Sequence, residues 1–409
     1  MSRARSGDRL LKGWIDSSRI MRVAFNVEQL VYRTPGGVGR YTAELARLLP
    51  VAGEHAADDP GVDLVTFTAR HCRATVERAL EQFALAGPEG LDPVRLWLPR
   101  PLLYDAWNVL GVPPLGAFHP SLRHVDLVHA PSLAVPPRDR TPLVVTVHDA
   151  APLLFPETYP RRGLTFHRRG FVATARRADV VIALTQAAAD EVVAATPIPA
   201  DRIRIVPHGV EQEMVADDKV TTTRRRLEVG DAPYVLWVGT LEPRKGLPTL
   251  IEAFASVTRT TDLPHRLVIV GSKGWLDTES TITAPARALG DRICFTGSVP
   301  EDELRSLYRG ADLLAFPSLH EGFGLPVLES MAQGTAVLCS DIPPLREVAE
   351  DAASYVAPGD VAAWSDALVA ILRDDVGRTA LAHSGRARAE GFTWERCAAR
   401  TRAVYRTVT

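Results

Sequence analysis

Four cysteines in 409 residues are too few and too scattered for a disulfide framework. Cys72, Cys294, Cys339 and Cys397 make no C-x-x-C pair and no Cys/His cluster at zinc spacing. Cys294 and Cys339 fall inside apolar, strand-like runs, where a buried thiol is the ordinary state. Both points suit a reducing compartment. No run of 18 or more apolar residues occurs, so no predicted helix spans a bilayer. The first 20 residues are Arg-rich and lack the apolar centre of a signal peptide. They are read as a disordered leader or an upstream start-codon choice, with the fold starting at Met21. Charge of one sign is also missing: 47 Lys and Arg stand against 49 Asp and Glu, a net −2. That balance argues against a dedicated nucleic-acid binder.

What is present is a globular composition, 46% hydrophobic and 23% charged, long enough for two domains. Short β-branched runs alternate with helical patterns throughout, which predicts parallel α/β architecture. The first half offers strands over 22–26, 62–67, 94–98, 126–130, 143–147, 179–184 and 203–206. The second offers 234–239, 266–271, 292–296, 312–316, 335–339 and 353–356. Several are apolar throughout, as strands covered on both faces should be. Helices fit at 38–49, 246–260, 302–310, 324–334 and 361–374. The halves meet near 209–232, where the polar linker 211–226 follows a Pro207-His208-Gly209 turn. The expected domains are 21–210 and 211–390, with a final helix in 391–409. Two such units imply a cleft, and open α/β sheets bind ligands at the carboxyl ends of their strands.

Four motifs carry chemistry. Glu321-Gly-Phe-Gly-Leu-Pro-Val-Leu-Glu329 follows a strand and opens a helix. Its glycines free backbone N–H groups at a helix N-terminus, a seat for phosphate or sugar hydroxyls. Glu329, about a turn into the helix, can accept hydrogen bonds from paired ribose hydroxyls. A tight turn with solvated glutamates is the plainer alternative. Glu242-Pro-Arg244-Lys245-Gly246 puts two cations where a helix begins, against the macrodipole, which favours an anionic partner such as a diphosphate over two merely exposed helix-start residues. Pro35-Gly-Gly37-Val-Gly39-Arg40-Tyr41 follows the first strand but lacks the last glycine of the dinucleotide fingerprint. Taken by itself it is a plain β–α turn or a ligand loop. His148-Asp149 ends an apolar strand and points to the cleft, whereas His129, also at a strand end, reads equally well as structural.

In this order, VGTLEPRKG, FTGSVPEDEL and FPSLHEGFGLPVLESMAQG included, the motifs resemble the retaining GT-B glycosyltransferases of family 4 over nearly all of 21–390. The resemblance implies two Rossmann-like domains with parallel sheets facing a central cleft, and a nucleotide-sugar donor held mainly by the second. It implies Glu329 on the ribose, Arg244 and Lys245 on the diphosphate, and Glu321 on donor-sugar hydroxyls. The amides of Phe323, Gly324 and Leu325 would help hold sugar and phosphate, and Val299 would lie beside the base. Gly37 would approach the phosphate and His148 the transferred sugar. No protein nucleophile is assigned. Members commonly work without a metal, and this sequence contains no D-x-D. No cofactor is expected. The tail 391–409 would return to the first domain.

The FNVEQL…GGVGRY opening and TVHDAAPLLFPE look most like bacterial GDP-mannose-dependent mannosyltransferases of cell-surface polysaccharide or glycolipid synthesis. UDP- or dTDP-sugar donors, for glucosyl or rhamnosyl transfer, remain open. So does the expected acceptor, a glycan or a lipid-linked glycan. Residues 161–177 hold six Arg and no acid with Phe166 and Phe171 interleaved. They form either a basic amphipathic helix on an anionic membrane or a solvated helix with inward phenylalanines. The apolar, Pro-rich stretch 98–118 is likewise a membrane- or acceptor-touching loop or a core-packed insertion. The expected location is cytoplasmic, peripheral at the inner membrane face. Rival classes are a sugar-nucleotide epimerase and a non-catalytic nucleotide-sugar binder. A dehydrogenase would need the full glycine fingerprint.

Overall fold

The computed structural model describes residues 20–33, 35–53, 59–272 and 286–409. The leader expected over 1–20, apart from Ile20, lies outside the described residues.

Among the described residues, thirteen strands form two sheets that are parallel throughout. The first contains β1 (Met21–Asn26), β2 (Val62–Thr68), β3 (Val94–Arg95), β4 (Leu127–Ala130), β5 (Leu143–Thr146), β6 (Val180–Ala183) and β7 (Ile203–Ile205). Its order is β3-β2-β1-β4-β5-β6-β7. The second contains β8 (Tyr234–Val238), β9 (Arg266–Val270), β10 (Ile293–Gly297), β11 (Leu313–Phe316), β12 (Ala336–Ser340) and β13 (Ser354–Val356). Its order is β10-β9-β8-β11-β12-β13. Every residue of β4, β5, β6, β8, β11 and β12 is buried, as mostly apolar strands covered on both faces should be.

The helices that build the cleft and its flanks are α1 (Gly36–Leu48), α2 (Arg161–Arg177), α3 (Gln186–Ala195), α4 (Asp217–Arg226), α5 (Leu247–Thr260), α6 (Glu301–Gly310), α7 (Leu325–Ala332), α8 (Pro343–Ala349) and α9 (Trp394–Arg406). Two expectations need correction. The strand over 94–98 is regular only at Val94–Arg95, because Pro99 and Pro101 have no N–H for a ladder and open a helix instead. The polar linker folds at Asp217–Arg226 into α4, which lies against α6.

The chain's last helix, α9, rests on α1. Arg402 donates from Nε and Nη2 to Asp59 at 2.7 and 2.5 Å, and from Nη1 to the Leu48 carbonyl at 2.9 Å. One apolar cluster runs through both domains, with Tyr41, Leu236, Phe323 and Tyr405 among its members. The sheet orders then fix where ligands can go. Strand order reverses between β1 and β4 in one sheet and between β8 and β11 in the other, and crevices open at such switch points. Three of the four motifs lie at these points: the glycine-rich loop follows β1, the Arg-Lys turn follows β8, and Glu321–Glu329 follows β11. His148 follows β5 and reaches the first switch point through the carbonyl of Pro131, after β4.

Candidate active site

After β8 the chain makes one tight turn at Pro243–Lys245, and Gly246 takes φ +65°. A Cβ on Gly246 would stand 1.9 Å from the Pro317 carbonyl oxygen, so the loop after β8 rests directly on the loop after β11. That contact brings the two motifs together. Lys245 Nζ donates to Glu321 Oε1 at 2.6 Å. Arg244 donates to the His320 carbonyl at 2.8 Å and to Glu242 at 3.1 Å, with Glu321 Oε2 3.7 Å away. The anion that Arg244 and Lys245 demanded in the sequence is therefore supplied inside the protein. Burial is the reason, since a desolvated cation must be paired. Arg244 Nε still finds no partner among the described residues.

Burial alone would raise the Glu321 carboxyl, but Lys245 and Arg244 outweigh it and hold it below the usual carboxylate range. Arg244, which burial would weaken, is driven further up by Glu321, Asp149 and Glu242. Asp149 is likewise depressed, burial being overcome by Arg244 and His320. Glu242 goes the other way, because burial outweighs its cations and pushes its carboxyl up. The cluster thus combines two fixed cations with a carboxylate, Glu321, kept ionised beside them.

The first domain closes this site from across the cleft. His148 Nε2 lies 2.9 Å from the Pro131 carbonyl. A carbonyl only accepts, so Nε2 carries the proton and Nδ1 is left as an acceptor. Burial lowers the His148 pKa, which keeps the ring neutral at pH 7. The main chain of His148 meets Gly322, and Thr185 Oγ1 donates to the Gly322 carbonyl at 2.9 Å. Further out, His320 Nε2 pairs with Glu191 at 2.7 Å, and Glu347 accepts from the amides of Gln186 and Ala187 at the start of α3. His129 is structural: Nδ1 meets Tyr405 Oη at 2.6 Å and Nε2 meets Thr146 Oγ1 at 2.8 Å.

Glu329 is buried on α7, eight positions from Glu321 but away from the cation pair. Its Oε2 accepts from Tyr308 Oη at 2.7 Å and its Oε1 from Arg40 Nη1 at 2.5 Å. Phe323, Gly324 and Leu325 lead into α7, where helix geometry leaves N–H groups without intrahelical acceptors. Gly37 is exposed at the start of α1, and a Cβ on it would reach Leu325 at 4.0 Å, so these two loops face each other. Val299 is half-buried just before α6. The sequence reading missed Arg40, Tyr308 and His208. Arg40 had a usable signal, a cation near a helix N-terminus, the same one that singled out Arg244 and Lys245.

This geometry can be set beside known proteins. Residues 35–213 match the family described as Glycosyltransferase Family 4, and residues 219–388 match Glycosyl transferases group 1. The D-inositol 3-phosphate glycosyltransferase of Xylanimonas cellulosilytica is 31% identical over 396 residues, covering 90% of this chain and 91% of that protein. The chain belongs to the group 1 glycosyltransferases. The O-antigen chain mannosyltransferase B of Escherichia coli is 28% identical over 397 residues, 94% of this transferase and all of that protein. The crystal structure of Anabaena HepE in complex with UDP and glucose superposes with TM-score 0.70 at 19% identity, over 95% of this chain and all of the other. The fold of the transferase is GT-B. Family membership sets aside the epimerase and non-catalytic readings.

On the flank of the transferase's first domain, α2 buries Phe171 and stacks Phe166 on Tyr104 at 5.5 Å, so its phenylalanines do pack inward. Its Arg161, Arg162, Arg168, Arg169 and Arg176 are exposed. The stretch 98–118 is divided. Leu103, Tyr104, Trp107 and Leu115 join the core, while Leu102, Val109, Leu110 and Val112 face out beside α2. Among the described residues no helix is long and apolar enough to cross a membrane.

Proposed function

We propose that this glycosyltransferase transfers mannose from GDP-mannose to a polysaccharide or glycolipid acceptor of the cell surface, with retention at the anomeric carbon and without a metal ion. The observation that carries the reading is the buried Arg244–Lys245–Glu321 cluster at the switch point of the second sheet. Arg244 offers its unpartnered Nε–H to a diphosphate oxygen, and Lys245, less enclosed than Arg244, swings from Glu321 to the phosphate. Glu321 is then free to accept from donor-sugar hydroxyls. Glu329 accepts from the ribose, Val299 lies beside the base, and the Phe323–Leu325 amides hold sugar and phosphate. Gly37 leaves room for the phosphate, and neutral His148 accepts a hydroxyl of the transferred sugar at Nδ1.

The acceptor oxygen attacks the anomeric carbon on the face from which the diphosphate departs. The bond from that carbon to the phosphate oxygen breaks, and the acceptor's proton passes to the leaving phosphate. Charge develops on the diphosphate, where two pre-placed cations act in a water-poor site. The mannose assignment rests on likeness to an O-antigen chain mannosyltransferase over 94% of this chain. A UDP- or dTDP-sugar is the second reading; a fold relative in complex with UDP and glucose favours the UDP donor.

The test is a thermal-shift screen against GDP-, UDP-, ADP- and dTDP-sugars, followed by turnover on polyprenyl-linked acceptors. Stabilisation by GDP-mannose with mannose transfer is the expected result. Stabilisation by UDP-sugars alone removes the mannose assignment, and no response to any nucleotide sugar removes the donor site. The same reading places the protein peripherally at the cytoplasmic membrane face, through the exposed arginines of α2 and the apolar side chains beside them. Co-sedimentation with phosphatidylglycerol vesicles should fall sharply in an Arg168→Glu/Arg169→Glu variant; equal sedimentation would dismiss the contact.

A further inference from the structure

One side chain of the first domain crosses the cleft and grips two elements of the second. Arg40 lies in the N-terminal half of α1 and is buried, an unfavourable place for a cation unless carboxylates meet it. Two do. Nη1 reaches Glu329 Oε1 at 2.5 Å, and Nη2 reaches Glu301 Oε1 at 2.6 Å. Glu329 belongs to α7, while Glu301 is the first residue of α6, two positions after Val299. The planar guanidinium fork suits such a double contact, which an ammonium cannot copy.

We infer that Arg40 is a positioning residue that clamps Glu329 and the start of α6 from the first domain, so that the seat for the donor's ribose is complete only when the two domains are closed. This rests on the reading of Glu329 as the ribose acceptor. A carboxylate offers about four lone-pair sites. Arg40 uses one on Oε1 and Tyr308 one on Oε2, leaving one on each oxygen, which is the number a ribose 2′,3′-diol needs. Glu329 and Glu301 also approach each other closely enough to repel, and Arg40 between them relieves that repulsion.

The ionisable groups facing this spot are Arg40 and Glu44 of α1, Glu301 and Tyr308 of α6, and His208, which faces Arg40 from the loop after β7. Burial already pushes the Glu329 carboxyl up; Arg40 and the Tyr308 hydroxyl oppose this, and Glu301 adds to it. Removing Arg40 takes away the main opposing charge. The Glu329 carboxyl then moves further up, and wherever it takes a proton one of the two free acceptor sites becomes a donor. A side chain that served only to hold the domains together would change stability without making ligand binding depend on pH.

The experiment titrates UDP and GDP separately by calorimetry between about pH 6 and pH 8.5, using the full chain. Wild type, Arg40→Met, Arg40→Lys, Glu329→Gln and the Arg40→Met/Glu329→Gln double variant are compared, with unliganded thermal unfolding as the check on folding. For the nucleotide that binds, Arg40→Met should raise Kd about 10- to 100-fold at the acid end. The loss should shrink as pH rises and Glu329 ionises again, while wild type changes little. Arg40→Lys should recover part of the affinity, which keeps the question answerable if the methionine variant does not fold. The double variant should lose less affinity than the two single losses added together. Wild-type affinity in Arg40→Met with weak binding in Glu329→Gln overturns the clamp and leaves the ribose reading standing. So does additive loss in the double variant. Unchanged affinity in Glu329→Gln overturns the ribose reading, and the clamp with it.

Discussion

Gly322 offers a direct way to separate folding from closure. It lies between Glu321 and Phe323, where the second domain's loop meets the end of β5 in the first. An ideal Cβ at this position would stand 1.9 Å from the His148 carbonyl oxygen and 2.9 Å from Asp149 Cβ. Both obstacles are backbone or backbone-near, so no flexible side chain can swing aside. Gly322 does not adopt a positive φ, so alanine fits its backbone and only the contact is at issue. The two loops must part by about 1 Å before the contact becomes tolerable in a close-packed interface. Overpacking of this kind costs about 1–3 kcal/mol, and here the cost falls on the closed arrangement. A displacement of about 1 Å between catalytic groups reduces rate roughly 100-fold. Gly322→Ala should therefore lower kcat/KM for transfer about 100-fold, measured by nucleoside diphosphate release, while unfolding temperature stays within about 4 °C of wild type. A variant with kcat/KM within about threefold of wild type would refute the argument. So would one whose activity loss is matched by a collapse in thermal stability.

Glu321→Gln removes the charge that neutralises Lys245 and Arg244 with little change in volume, and should lower unliganded stability by about 3 kcal/mol in urea denaturation. A saturating nucleoside diphosphate should restore more stability to this variant than to wild type, because phosphate can pair the cations left without Glu321. Acid should destabilise the protein in two stages. Burial pushes His129 down to about 3 and His148 and His208 below the ordinary value, so the unfolded chain binds their protons first. Their contribution is full above pH ~6.5 and is lost below it, by up to about 1.4 kcal/mol per pH unit for each. Glu321 and Asp149 are depressed, so their contribution persists above the ordinary carboxylate range and disappears only as pH falls through their lower folded values. Chemical denaturation midpoints at pH 7.5 and 5.5 should show the first stage, and points below about pH 4 the second; a flat profile from 7.5 to 5.5 would contradict the buried, neutral histidines. Tyr405→Phe should cost about 1–3 kcal/mol by leaving His129 Nδ1 without its 2.6 Å partner. Calorimetric unfolding checks it.

What could be read in the sequence was whatever is decided locally. β8 and β11 are apolar without interruption, and β12 apart from its final Ser340, because helices cover both faces of a parallel sheet, so their position, type and sheet class were all legible. Glycine-rich turns and helix starts were legible for the same reason, since φ preferences and helix dipoles act within one turn. α4 escaped notice because Asp217–Arg226 is strongly polar, yet even there Asp217 and Asp218 open the helix and Arg224, Arg225 and Arg226 close it, as the macrodipole favours. Partnership across long sequence distances was not legible. Lys245 and Glu321 are 76 residues apart and Arg40 and Glu329 are 289 apart, so the cations looked unpaired and the need for an anion passed to a ligand. That inference was incomplete, because a buried charge is satisfied by whichever opposite charge the fold brings close. In a two-domain enzyme the partner can come from the other domain. Arg40 answers to Glu329 and Glu301 only because the fold brings α1 within reach of α7 and the start of α6, and a side chain at Gly322 would collide with the end of β5. Each half of the site is therefore encoded within its own stretch of chain, while the pairing that makes it a site exists only in the closed cleft.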